Sequence, residues 1–125
     1  MYEISEKYKD IADDIISEVD DIKFLKDVPV VFLACDKEKK IHSHRIHAEC
    51  IKIPEIYRTI SEFIFAIIVY EPNCENFDDG QFRILIEHEL RHIGSKNGKP
   101  CIIPHDIERG EFTAIAEKYG ENWSE

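Results

Sequence analysis

The chain has 125 residues, with 16 Lys and Arg against 26 Asp and Glu and a formal net charge of −10. That length suits one domain, residues 1–125, with a core that needs no staples. An acidic chain without a basic tract argues against nucleic acid as a partner, because phosphate binding needs clustered Lys and Arg.

The first twenty-odd residues predict an amphipathic helix. Ile4, Tyr8, Ile11, Ile15, Val19 and Ile22 recur every three or four positions between charged residues. Pro29 follows, and 30–35 then reads as a buried strand, with a charged turn at 37–40. His42, His44 and His47 crowd the next stretch. They predict a solvated turn between strands, since no spacing among them sets a coordination geometry. A second strand is expected over 46–53, closed by Pro54. The third, 63–70, is apolar at every position and belongs inside the sheet, covered by helix on at least one side.

After a polar loop, Phe82, Leu85, Ile86, Leu90 and Ile93 form one helical stripe. Asp78 and Asp79 suit the start of that helix, and Gly94 suits a C′ stop. A polar loop is expected over 95–100. A last helix should open at Asp106 as N-cap, with Ile107, Phe112, Ile115, Ala116 and Tyr119 as its apolar stripe and Gly120 as its end. The fold class is therefore α+β: an N-terminal helix, a small sheet of at least three strands, and two further helices.

The motif helix carries His88-Glu89-Leu90-Arg91-His92, an H-E-x-x-H sequence. Positions i and i+4 share a helix face, so both imidazoles can reach one metal ion. Glu89 lies beside the first of them, where a carboxylate can take a proton from an activated water. A catalytic zinc needs a third protein ligand. His105 is the first candidate, thirteen residues on, across a segment with two Gly. Asp106 is an alternative ligand, or an acceptor that orients one. Glu108 and Glu111 are carboxylate alternatives well behind His105, and Glu111, like Asp106, could instead orient a ligand. Tyr119 could contact an oxyanion, although a Tyr on an apolar stripe is more commonly core.

Cys35, Cys50, Cys74 and Cys101 are widely spaced and contain no C-x-x-C, so four free thiols are expected. Residues 1–5 lack the features of a signal peptide, and no apolar run can span a bilayer. A cytoplasmic protein with no membrane partner is expected.

The segments ILIEHELRHIG and PHDIERGEFTAIAEKYGENW resemble the phage metallopeptidase family. The shared pattern is H-E-L-x-H (His88, Glu89, Leu90, His92), then H-D (His105, Asp106). An acidic, Phe-containing segment with a Y-G-x-W-like tail follows (Glu108, Phe112, Tyr119, Gly120, Trp123). Arg109-Gly110 before Phe112 departs from it and bears on the alignment of Glu108 and Glu111. The resemblance is close in the C-terminal half and extends in outline to the first. It implies a minimal zincin-like fold, a metal-dependent peptidase and a bacterial or phage-infected cell. The SprT-like metalloproteases are similar in outline.

The expected function is hydrolysis of a protein or peptide substrate, with Zn²⁺ on His88, His92 and His105 and Glu89 as general base. The alternative is a non-catalytic metal-binding regulator on the same scaffold that binds a protein partner. An intact Glu89 argues against that alternative.

Overall fold

A computed structural model describes residues 1–106 and 111–125. A short strand β1 (Tyr2–Ile4) precedes helix α1 (Glu6–Glu18), and after the extended Val19 a 3-10 helix, Asp20–Asp27, follows. Strand β2 (Val30–Cys35) leads to a hairpin of β3 (Lys40–Ile41) and β4 (His44–Arg45). Strand β5 (Ala48–Lys52), a 3-10 turn and β6 (Phe65–Tyr70) follow. Next come α2 (Asp79–Leu90), a second hairpin of β7 (Ile93–Lys96) and β8 (Lys99–Ile102), and α3 (Thr113–Tyr119).

The main sheet has the order β1-β2-β6-β5. β2 runs parallel to β6, while β1 and β5 run antiparallel to their neighbours. As its composition requires, β6 lies inside the sheet with all six residues buried. Phe65, Ile67 and Val69 face the helices. Ile68 and Tyr70 join Cys35 in a smaller cluster on the other side.

Helix α1 starts where Ser5 Oγ accepts the Tyr8 N–H at 3.2 Å. It buries Tyr8, Ala12 and Ile15. Helix α2 starts with a reciprocal capping box: Asp78 Oδ1 accepts the Gln81 N–H, and Gln81 Oε1 accepts the Asp78 N–H. Its Leu85, Ile86 and Leu90 complete the core against α1 and β6, each worth roughly 1.5–3 kcal/mol of burial.

Two expectations need correction. The stretch after α2 is a β-hairpin, and Gly94 is a strand residue rather than a helix stop. A Cβ on Gly94 would lie 2.3 Å from Ile103 Cδ1, so glycine is there for a close approach. The hairpin turns on Asn97 and Gly98, both at positive φ, as a two-residue Asn-Gly turn requires. The last helix begins at Thr113, with Phe112 at its N-cap, and not at Asp106. The Asp106 carboxylate instead accepts the N–H of Thr113, the first residue of that helix, at 2.6 Å. Ile107 and Glu108 lie outside the described residues.

Candidate metal centre

The β7–β8 hairpin explains how His105 reaches the motif helix. It folds the chain back on itself, so Ile103 returns against the end of α2. The Ile103 N–H donates to the His92 carbonyl at 2.6 Å, and the Ile103 carbonyl accepts from His92 Nδ1 at 2.6 Å. Two residues further, His105 lies against both motif histidines. Its ring centroid is 4.9 Å from that of His88 and 4.5 Å from that of His92.

One ring nitrogen from each of His88, His92 and His105 lies within 4.8 Å of the others. His105 Nε2 and His88 Nε2 are 3.0 Å apart. His88 Nδ1 donates to Glu111 Oε1 at 2.5 Å, and His92 Nδ1 donates to the Ile103 carbonyl. With Nδ1 occupied, each motif imidazole keeps Nε2 for a metal, the tautomer that such outer partners enforce. Three converging imidazoles, two of them oriented in this way, fit one metal ion. Phe112 walls the group off, its ring 4.8–5.3 Å from all three histidines.

The electrostatics have separate causes. Burial disfavours the imidazolium of His88, but the Glu111 hydrogen bond and the Glu89 and Glu111 carboxylates outweigh it and raise its pKa. Burial, then the charges of His88 and His92, push His105 down to about 4. His92 is lowered mainly by burial. Glu89 is only 4 % exposed, and burial pushes its carboxyl up to about 7. Its Oε2 lies 3.7 Å from His88 Nε2. Burial works against the Glu111 carboxylate, but hydrogen bonds from His88, Trp123 and the Phe112 N–H lower its pKa on balance.

These groups line a cleft of about 680 Å³. Strand β5 forms one wall through Ala48, Glu49 and Cys50, and 121–125 forms another part of the rim. β5 ends the sheet order, so its outer edge carries no strand partner among the described residues. Glu49 is held by Lys39 at 2.7 Å and by the Tyr70 hydroxyl.

The other candidates are placed as follows. Of the two carboxylates offered as an orienting acceptor or alternative ligand, Glu111 accepts from His88 Nδ1, while Asp106 accepts the Thr113 N–H. The Tyr119 hydroxyl donates to Glu87 at 2.7 Å and does not line the cleft. His42 and Ser43 form the positive-φ turn of the β3–β4 hairpin, and His42 and His44 are exposed. His47 stacks on Phe77 with ring centroids 4.7 Å apart. Among the described residues, only His88, His92 and His105 form a group able to hold a metal. The four cysteines are free, and no helix among the described residues is long and apolar enough to cross a membrane. Sequence reasoning missed the Trp123–Glu111 contact and the hairpin that delivers His105. The pair Asn97-Gly98 was the available signal for the hairpin.

The family described as "putative phage metallopeptidase" matches residues 1–125, and the chain belongs to that family. A metal ion and a peptidase role are thereby implied at the family level. No curated protein and no solved structure matches the chain.

Proposed function

We propose that this protein is a zinc-dependent peptidase. The observation that carries the reading is the convergence of three imidazoles beside the buried Glu89 carboxylate, in a cleft bounded by the end strand of the main sheet. His88, His92 and His105 would hold the ion, a nitrogen-only set suited to zinc. When bound, zinc supplies Lewis-acid activation of water and of the scissile carbonyl.

The chain's own residues do the remaining work. Glu89 accepts the proton from the attacking water at its carboxylate and passes it to the leaving amine. A carboxylate beside the ion suits both transfers, taking the proton as base and returning it as acid. Glu111 and the Ile103 carbonyl keep His88 and His92 in the Nε2-ligating orientation. β5 offers unpaired backbone groups to an extended peptide, which can add to the sheet as a further strand. Phe112 and the aliphatic lining exclude water and strengthen the electrostatics.

Metal analysis of purified wild type and E89Q tests the proposal, together with cleavage of an unfolded protein substrate. One equivalent of zinc is expected in both. Cleavage should be about 10²–10⁴-fold slower in E89Q, the range typical of general acid–base catalysis. Near wild-type cleavage by E89Q would refute Glu89 as the base. Zinc at one equivalent with no cleavage by wild type would favour a metal-binding regulator instead.

A further inference from the structure

Trp123 is the chain's single tryptophan, and its indole N–H is committed to one acceptor. Nε1 donates to Glu111 Oε2 at 2.7 Å. The other carboxylate oxygen, Oε1, accepts from His88 Nδ1 at 2.5 Å and from the Phe112 N–H at 2.9 Å. The terminal torsion of a glutamate is broad and roughly two-fold, so a carboxylate held at one oxygen can swing. Held at both, it presents a fixed oxygen to the imidazole. The two bonds on either side of Glu111 therefore act in series: indole to carboxylate, carboxylate to ring.

Trp123 lies near His88, with ring centroids 6.5 Å apart, and is anchored by further groups outside the histidine cluster. Its ring packs edge-on against Phe77, with centroids 6.1 Å apart. Its carbonyl accepts from Gln81 Nε2 at 3.2 Å. Gln81 is also the residue whose Oε1 closes the capping box of α2. One helix thus carries His88 in its last turn and the anchor of the indole in its first. The spacing between indole and imidazole is set by a rigid element, and Glu111 bridges it.

We propose that Trp123 is a positioning residue for the metal centre, holding Glu111 so that Glu111 fixes the ring plane and tautomer of His88. The proposal rests on the metal-centre reading above. A merely structural role for Trp123 would affect the stability of the fold but not the affinity of the folded protein for metal.

The test uses the full chain and W123F, which keeps an aromatic ring and removes the N–H. Zinc affinity would be measured by competition with a chromophoric chelator, and the geometry of the site from the visible absorption of the Co²⁺-loaded protein. Zinc affinity should fall about 10-fold in W123F, the lower end of what an outer hydrogen-bond partner contributes, and the Co²⁺ bands should shift. In an E111A background, W123F should change affinity by less than about twofold, because the group it acts through is gone. Equal zinc affinity in wild type and W123F would overturn the proposal. So would a W123F effect of the same size with and without Glu111. Absence of zinc and Co²⁺ binding by wild type would instead remove the metal centre itself, a failure visible before any variant is compared.

Should W123F not fold, the wild type gives an independent readout. The single indole N–H signal in the NMR spectrum of the metal-free protein should be protected from solvent exchange and lose that protection in E111A. An indole proton exchanging at the free rate in wild type would overturn the proposal.

Discussion

Glu87 and Glu89 stand two residues apart on α2, and both are nearly inaccessible, at 1 % and 4 % exposure. Their surroundings are opposite. Glu87 Oε1 accepts from the Tyr119 hydroxyl at 2.7 Å and from Lys118 Nζ at 3.1 Å. Its Oε2 accepts from Arg91 Nη2 at 3.0 Å, and Arg91 continues to Asp21 at 2.8 Å. The set ties α2 to α3 and to the 3-10 helix Asp20–Asp27. Glu89 faces the cleft, and burial is the main influence on its carboxyl. Burial alone does not distinguish a reactive carboxylate from a structural one; the supply of donors does. One side of α2 is stitched, and the other is left chemically open.

The largest effect that breaks the comparison is on catalysis. E89Q should lose about 10²–10⁴-fold in cleavage with zinc retained, whereas substitution of Glu87 should leave the zinc affinity of the folded protein unchanged. The next is on stability. E87A removes the common acceptor of three donors, and breaking a buried ion pair from one side costs about 3–5 kcal/mol. Lys118 is half exposed and Arg91 keeps Asp21, so about 3 kcal/mol is expected, read from urea denaturation of the metal-free protein.

A third prediction concerns pH and reverses the sign of the second. In the metal-free fold the Glu89 pKa is raised from 4.5 to about 7. An acid raised on folding contributes stability that is fully present below the unfolded value and lost as pH rises through the folded one. E89Q should therefore match wild type near pH 4 and become more stable between about pH 4.5 and 7, with the difference constant above. The shift caps the gain at about 3 kcal/mol, and solvent penetration into the open cleft should reduce it to the order of 1–2 kcal/mol. Thermal melts of both proteins across that range would check it. A gain that shrinks with rising pH would contradict the account of Glu89.

The smallest effect should touch both sides of the helix equally. D78A removes the cap of α2 and should cost about 1 kcal/mol in denaturant unfolding, without altering zinc stoichiometry.

Much of this comparison was legible in local sequence. The capping residues of α2, its apolar stripe from Phe82 to Leu90 and the i, i+4 histidines are all short-range features, and the structure places them as their spacing predicts, although Ile93, expected on the same stripe, opens β7 instead. The six apolar residues of β6 likewise announced an interior strand. What local pattern could not supply was the partner of each charge. Glu87 finds Tyr119 and Lys118 from more than thirty positions away, and Glu111 finds Trp123 across the whole length of α3. Those pairings depend on how the helices dock. Gly94 was misleading because a glycine suits both a helix end and a close strand approach, and only the Ile103 side chain above it decides between them. Asp106 looked like a helix cap because it stands two residues after Pro104 and precedes Ile107, but the helix starts at Thr113, whose N–H it still satisfies from a distance.

The central claim is that His88, His92 and His105 hold one metal ion while Glu89 stays off it. X-ray absorption at the zinc edge of the zinc-loaded protein tests this most directly, with H105A as the comparison. The account predicts three imidazole nitrogens at about 2.0–2.1 Å in wild type and the loss of one in H105A. A first shell containing sulfur, or an unchanged imidazole count in H105A, would contradict it.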